Sequence, residues 1–468
     1  MSYQVPQHID KNKIFIVKRS EIEGRLDAQY YNENLDFSGF IKLSSVAIVK
    51  GGKRIPKGYG YSEDTTPYYY LRVADMDSDT QVNVNNLMNI SEDVFKILEK
   101  YEITEGELAI SIAGTIGKTI ILKNIPYGKR VILTENCAKI LVKQNVKLLS
   151  EYLKICLELP IVKKQLDLNY IQTTIPKLGL DKIQGIRLPS IPCIQRQQEI
   201  VEYVNEVNRK KQKKDKEAQH LLDSIDDYLL KELGITIPKV KNDINNRMFI
   251  IYKKDLIGRY TPSIYRNVVS LRSELYDNVQ LSHVAYINPN TKFPQINKEM
   301  KISFVPMESI NETYAEIENY KNCTINDSKG FTRFQEGDLL WAKITPCMEN
   351  GKSSIAKNLT NGYGCGSTEF HVIRAKNNSI MVEFIRSILH MKLVRETAKL
   401  YFGGSAGQQR VASDFLENFN VPLPPIDKQQ EIIDCISNMR NKAKALREQG
   451  KAILESAKRE VERMIIGE

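Results

Sequence analysis

Two long stretches of this chain carry apolar residues at spacings of three and four, the period that lines up one face of an α-helix. Between Ile194 and Leu233 these are Ile200, Val204, Val207, Leu221, Leu222, Ile225, Leu229 and Leu233. Between Ile426 and Ile466 they are Ile432, Ile436, Met439, Ala443, Leu446, Ile453, Leu454, Ala457, Val461 and Ile465. Forty helical residues at ~1.5 Å each reach roughly 60 Å. The simplest arrangement is an antiparallel pair forming a spacer; two helices each packed on its own domain is the alternative. The basic run Arg209 to Lys216 breaks into the first seam. It reads as a solvated helix face or a loop between two segments, ahead of a DNA-backbone contact.

Elsewhere the pattern changes to short β-branched and aromatic runs separated by Gly, Pro and Asn. Examples are Pro67-Tyr68-Tyr69-Tyr70-Leu71 and Ile302-Ser303-Phe304-Val305. Each half therefore reads as a compact α+β domain with a twisted, largely antiparallel sheet.

The two halves repeat. Leu188-Pro189-Ser190-Ile191-Pro192 runs into Gln197-Gln198-Glu199-Ile200, and Val421-Pro422-Leu423-Pro424-Pro425 into Gln429-Gln430-Glu431-Ile432. The offset is 429 − 197 = 232 residues, about half of 468. Each is a proline-stiffened strap that ends a domain and launches a helix. Earlier anchors recur in the same order. Phe15-Ile16-Val17 and Gly24-Arg25 match Phe249-Ile250-Ile251 and Gly258-Arg259. Leu43-Ser44-Ser45-Val46-Ala47 matches Leu281-Ser282-His283-Val284-Ala285, and Glu105-Gly106-Glu107-Leu108 matches Glu336-Gly337-Asp338-Leu339. The chain is read as a tandem duplication. The expected division is 1–190 and 241–425 for the two domains, with 191–240 and 426–468 for the helices.

Composition adds little that the pattern lacks. Lys plus Arg number 67 against 57 Asp plus Glu, a formal charge of +10 that suits a polyanion without requiring one. Seven cysteines in no Cys-x-x-Cys spacing argue against a disulfide framework or a zinc site. No apolar run is long enough to span a bilayer and no leader pattern is evident, so no membrane partner and a cytoplasmic location are expected.

Catalytic motifs are missing. Ala113-Gly114-Thr115-Ile116-Gly117-Lys118-Thr119 imitates a phosphate-binding loop, but Ile112 stands where the first glycine is required, so a glycine turn between strands is the better reading. His8, His220, His283, His371 and His390 fall in no ligand or catalytic pattern, and Asn288-Pro289-Asn290 is too weak a motif to hold a flipped adenine. The chain is expected to be no enzyme.

The repeated straps, the helices behind them and the divergent halves resemble the specificity subunit of Type I restriction–modification systems. Gly51-Gly52-Lys53-Arg54-Ile55-Pro56-Lys57 and Gly404-Ser405-Ala406-Gly407-Gln408-Gln409-Arg410-Val411 are similar to recurrent stretches of that family. Tyr170 to Lys177 departs from the second stretch, lacking its glycines and arginine. The resemblance implies two target recognition domains with pseudo-twofold symmetry, each reading one part of a split, asymmetric site on double-stranded DNA. It implies a coiled coil that sets the spacing and docks two methyltransferase subunits. Those partners would carry S-adenosylmethionine and methylate adenine, while a motor-nuclease partner, where present, would use ATP and Mg. A recognition subunit of a system cutting on both sides of its site is a close variant. An autonomous DNA-binding or architectural protein is the alternative class.

Candidate DNA contacts in the first half are Lys53, Arg54, Lys57, Arg72, Gln172, Thr173, Thr174 and Lys177. In the second they are Lys298, Lys343, Gln408, Gln409 and Arg410. Arg and Lys can take guanine edges or phosphates, and glycines near Arg410 suit close backbone approach. Ile200, Val204, Leu222, Leu229, Ile432, Ile436, Leu454 and Val461 are candidates for the mutual helix seam or a partner surface.

Overall fold

The computed structural model describes residues 16–17, 19, 22, 37–76, 86–169, 177–237, 271–294, 298–404 and 408–467. The opening anchors around Gly24 and Gly258 lie outside the described residues, apart from Ile16 and Val17. The chain divides into two compact units, one formed by Met1–Gln212 with Gly450–Glu468 and the other by Lys213–Gln449.

In the first unit a single helical turn, α1 (Leu43–Val46), leads into β1 (Ala47–Gly51). Then come β2 (Tyr68–Leu71), β3 (Met88–Asn89), β4 (Glu102–Ile103) and β5 (Leu108–Ser111). The set is completed by β6 (Thr119–Ile121), β7 (Arg130–Leu133) and β8 (Cys137–Val142). One four-stranded sheet has the order β1-β8-β5-β6 and is antiparallel throughout. The other has the order β3-β2-β7-β4, with β2 and β7 parallel. Sequence periodicity suggested one sheet per half; among the described residues each half has two four-stranded sheets, because β5 (burial on every residue) and β8 present apolar side chains to both sides. Leu108 and Ile110 face the helices α2 (Ser150–Glu158) and α3 (Pro160–Asn169), while Ala109 joins Tyr69, Leu71, Val131 and Leu133 beneath the second sheet.

The second unit repeats this order. The turn α5 (Leu281–Val284) leads into β9 (Ala285–Ile287), followed by β10 (Lys301–Val305), β11 (Lys321–Thr324) and β12 (Thr332–Gln335). Next are β13 (Leu339–Ala342), β14 (Ser353–Ile355), β15 (Tyr363–Gly366) and β16 (Phe370–Ala375), then helices α6 (Val382–His390) and α7 (Lys392–Lys399). Its sheets run β9-β16-β13-β14 and β11-β10-β15-β12, with β10 and β15 as the parallel pair.

Each strap launches a long helix: α4 (Ile194–Glu232), 39 residues, and α8 (Ile426–Ile466), 41 residues. The repeated glutamine explains the strap. Gln197 and Gln429 are both 0% exposed. The Gln197 Oε1 accepts the Leu149 N–H at 2.9 Å, and its Nε2 donates to the carbonyls of Lys147 and Pro192, both at 2.9 Å. Gln429 repeats this with Met381 N–H at 2.8 Å and the Ser379 and Pro424 carbonyls at 2.9 Å. One side chain thus ties the strap to the entry of α2 or α6, which the leading Met381 and Leu149 cannot cap themselves.

In the second unit α8 runs antiparallel to α4. Lys428 binds Glu232 at 2.7 Å, Arg447 donates to Gln219 at 2.8 Å, and Lys214 to Gln449 at 2.8 Å. Ile225, Leu229, Ile432 and Ile436 are buried there, with Leu222 packed against them. In the first unit Ile200 and Val461 share a buried cluster against which Val204 packs, so the helices pair in the same sense. Leu454 is half-buried. Ile200, Leu229, Ile432, Ile436 and Val461 are buried in the chain's own clusters. The basic run is uninterrupted helix, its Arg209 and Lys210 pairing with Glu202 and Glu206 at 2.7 and 2.6 Å. No described helix is long and apolar enough to cross a membrane.

Candidate nucleic-acid interface

Parallel strands end side by side, so the loops after β2 and β7 emerge at one end of the first unit. Lys53 reaches that end because its N–H donates to the Leu133 carbonyl at 3.0 Å, and Thr134 N–H donates to Leu71 at 3.1 Å. Gly52 makes the approach possible: an added Cβ would stand 2.1 Å from the Thr134 carbonyl oxygen. Arg54 is 79% exposed, yet its Nε donates to Glu135 at 2.6 Å. Glu135 also accepts from Tyr70 at 3.1 Å and Thr134 at 3.0 Å, and these partners outweigh burial in holding its pKa below the usual range. Burial raises the Tyr70 phenol to about 12, so it stays a donor at neutral pH. Arg72 is engaged differently. Its Nε and Nη2 fork onto Asp75 at 3.0 and 2.8 Å, so the guanidinium closes a local turn rather than standing free for a base edge. Lys57 is exposed in the same loop. Gln172, Thr173 and Thr174 lie outside the described residues, but Lys177 is exposed and pairs through its backbone with Ala113.

The equivalent end of the second unit carries the same framework. Arg410 pairs through its backbone with Ile344, as Lys177 does with Ala113. The Val411 N–H donates to the Lys343 carbonyl at 2.9 Å, as Leu178 does to Ile112 at 2.8 Å. Lys177 and Arg410 therefore occupy matching positions, an equivalence hidden in sequence because the loop before Lys177 has lost the glycines. Arg410 Nε and Nη2 grip Glu369 at 2.9 and 2.8 Å, and Nη1 donates to the Gln408 carbonyl at 2.8 Å. That pairing lowers the pKa of Glu369. Lys343 donates its N–H to the Glu369 carbonyl at 2.9 Å, and the Gln409 carbonyl accepts from Thr345 at 3.0 Å. Lys298 is not part of this group. It precedes β10, whose other end runs toward Glu369, so it sits at the opposite end of that sheet.

Sequence reasoning overlooked Glu135 and Glu369, although both follow a threonine, Thr134 and Thr368, at nearly the offset of the strap. It also left His371 and Asn288 without a role. His371 Nε2 donates to the Val411 carbonyl at 2.9 Å, and Asn288, at φ 51°, accepts the Val372 N–H at 3.0 Å. Burial lowers the His371 pKa, so the ring is a neutral brace behind Arg410. The glycine turn from Gly114 to Gly117 joins β5 to β6, with both glycines at positive φ. The seven cysteines are free thiols; Cys323 on β11 and Cys365 on β15, with β10 between the two strands, are 3.5 Å apart at sulfur.

Each unit thus presents an arginine held by a buried-edge glutamate, with lysines beside it, on loops raised by a rigid sheet. A carboxylate behind a guanidinium fixes its plane while leaving outward N–H groups for a second acceptor, the geometry suited to phosphate or a guanine edge.

Comparisons with known proteins agree with the duplication. The family model described as "Type I restriction modification DNA specificity domain" matches residues 36–221 and again 273–456. The EcoEI specificity subunit of a Type I restriction enzyme from Escherichia coli is 34% identical over 197 residues, 41% of this chain and 32% of that protein. The EcoAI specificity subunit from the same organism is 34% identical over 190 residues, 40% of this chain and 31% of that protein. The matched stretch therefore spans about a third of the length of these relatives. A solved chain described as "Structural basis underlying complex assembly and conformational transition of the type I R-M system" has a TM-score of 0.51 at 13% identity, covering 91% of this chain and 97% of that one. That likeness is one of fold. With the specificity domain matched twice over most of its length, this chain belongs to the Type I restriction–modification DNA specificity family.

Proposed function

We propose that the chain is the DNA-recognition subunit of a Type I restriction–modification enzyme and itself performs no covalent chemistry. The observation that carries this is the doubled specificity domain with matching cationic ends, Lys53, Arg54, Lys57 and Lys177 in one unit and Lys343, Gln408, Gln409 and Arg410 in the other. Each end would read one part of a bipartite site. The sequences of the two ends differ, so the site need not be palindromic. The antiparallel helices would act as a coiled-coil spacer with pseudo-twofold symmetry, setting the number of base pairs between half-sites as dimer geometry does elsewhere. Their exposed faces would dock two methyltransferase subunits carrying S-adenosylmethionine; ATP and Mg would belong to a motor-nuclease partner.

The test is co-expression with the methyltransferase encoded beside it, in cells free of DNA methylation, and mapping of N6-methyladenine by long-read sequencing. A motif of two short defined parts around a fixed gap is expected. Exchanging the segment from Met1 to Pro189 for a relative's should change one part and leave the gap. Absence of methylation despite a stable complex would overturn the proposal in favour of an autonomous DNA-binding protein.

A further inference from the structure

The second unit grips its helices beyond the reach of its apolar core. Ile432, Ile433 and Ile436 of α8 are buried in that core, with Met439 packed against it. Lys444 and Arg447 lie roughly one and two turns further along the helix. They meet a hairpin of the second domain, built from the short strands Ile310–Asn311 and Glu316–Ile317. Tyr314, between those strands, is half-buried. The Lys444 Nζ stands 5.6 Å from the centre of its ring, and Arg447 Cζ stands 5.8 Å from it. Arg447 Nη1 also donates to the Tyr314 hydroxyl at 3.3 Å, and its Nη2 to Gln219 on α4 at 2.8 Å. Lys444 pairs with Glu316 at 2.7 Å. One arginine therefore joins the hairpin to both helices.

The tip is shaped for that contact. Ala315 is buried at φ 55°, a left-handed conformation that a residue with a Cβ adopts only at a cost. The Asn311 Oδ1 accepts the N–H groups of Thr313 and Tyr314 at 2.9 and 3.0 Å, and the Asn311 carbonyl accepts the Ala315 N–H at 2.9 Å. Arg386 of α6 donates Nη1 to the Ala315 carbonyl at 3.3 Å. At the strap's offset α4 carries Gln212 and Asp215 where α8 carries Lys444 and Arg447, so this pair of cations is not shared by the repeat.

The contact adds little to stability. Lys444 and Glu316 are 43% and 46% exposed, and exposed ion pairs and cation–π contacts each contribute little to a fold. A contact of this kind suits the fixing of an angle better than the holding of a domain.

We infer that Tyr314 and Arg447 are positioning residues that fix the second domain on the helix pair, and so sharpen discrimination between DNA sites whose gaps differ by one base pair. The inference rests on the recognition function proposed above. A half-site displaced by one base pair lies about 3.4 Å further along the duplex. To meet it, either the duplex deforms or the domain shifts on the helices. With the hairpin seated, the second route costs the free energy of its contact. Without the hairpin contact that cost vanishes, and wrong gaps are penalised less by the same factor.

The test uses the full chain assembled with the methyltransferase encoded beside it. Single-turnover methylation is compared on duplexes carrying the mapped gap and a gap changed by one base pair. Tyr314→Ala and Arg447→Met should each reduce the preference for the mapped gap by about fivefold, the factor that one exposed cation–π contact and its hydrogen bond allow. The rate on the mapped gap should change little. Tyr314→Phe, which keeps the ring, should retain most of the preference. Glu316→Lys should lower it, and adding Lys444→Glu should restore it. In the chain alone, hydrogen exchange at the Ala315 amide should quicken in Tyr314→Ala while the α8 amides from Ile432 to Ile436 stay protected, which separates a freed hairpin from a misfolded unit. A wild-type complex that methylates no site overturns the recognition reading and this inference with it. A working complex whose Tyr314→Ala and Arg447→Met variants keep the wild-type gap preference overturns this inference alone.

Discussion

Replacing Gln429 by alanine should be among the most damaging single changes in the second unit. The side chain is fully buried and makes three hydrogen bonds, to the Met381 N–H and to the Ser379 and Pro424 carbonyls. A buried hydrogen bond contributes ~1 kcal/mol net, and a stranded backbone group costs about as much or more, so the expected loss is roughly 3 kcal/mol. For a unit of this size each kcal/mol moves the melting temperature by about 2–4 °C, which predicts a fall of roughly 6–12 °C in the transition of the second unit. Hydrogen exchange at the Met381 amide assigns the effect, because that N–H loses its acceptor and should exchange faster than its α6 neighbours. Gln429→Glu is a sharper variant. It keeps the acceptor for Met381 but points an oxygen at two carbonyls, so it should be no better than alanine. Gln197→Ala should behave likewise in the first unit, where the bonds are matched atom for atom. A melting shift below 2 °C, or unchanged protection at Met381, would refute the clamp.

Gly52→Ala should lower stability by about 1–3 kcal/mol, since the new Cβ meets the Thr134 carbonyl oxygen at 2.1 Å and the Lys53 loop must move; a urea titration reads it. Arg410→Ala should weaken DNA binding by the reconstituted complex. A base contact would relax one position of one half-site, whereas a phosphate contact would reduce the log–log salt slope by about one, and no change in either would exclude Arg410 from the interface. Glu369 has a folded pKa depressed by Arg410, so that stabilisation is present above the unfolded carboxylate pKa and fades as pH falls through the folded value. Acid unfolding of Arg410→Ala should therefore differ from wild type near neutral pH and converge with it in strong acid.

The helical seams and the duplication were legible in sequence because both depend on local spacing. Ile432, Ile436 and Ile200 follow a helical period whatever they pack against, and the straps share prolines and the run Gln-Gln-Glu-Ile at a single offset. The sheets were less legible. The all-buried β5 residues Leu108 to Ser111 show no alternation, so nothing local reveals that two layers share that strand. Pairings such as Arg54 with Glu135 or Arg410 with Glu369 join residues 81 and 41 positions apart, and the antiparallel pairs β1–β8 and β13–β16 bring their ends together. The same holds for Lys177, whose likeness to Arg410 is one of strand register and not of neighbouring letters. The glutamine was visible as a repeat but its purpose was not, since its partners near Lys147 and Ser379 precede it by 50 positions in each half.

The first unit is assembled from both ends of the sequence: Val461, near the last residues, fills a core laid down by Leu43, Tyr152 and Ile200. During synthesis, that core must wait on the ribosome with its α4 face uncovered while the whole second unit is made. The second unit, contiguous from Lys213 to Gln449, can close as it emerges. Order of translation and order of completion are thus reversed, and a premature stop after Gln449 would leave the later-made half intact and the earlier-made half unfinished.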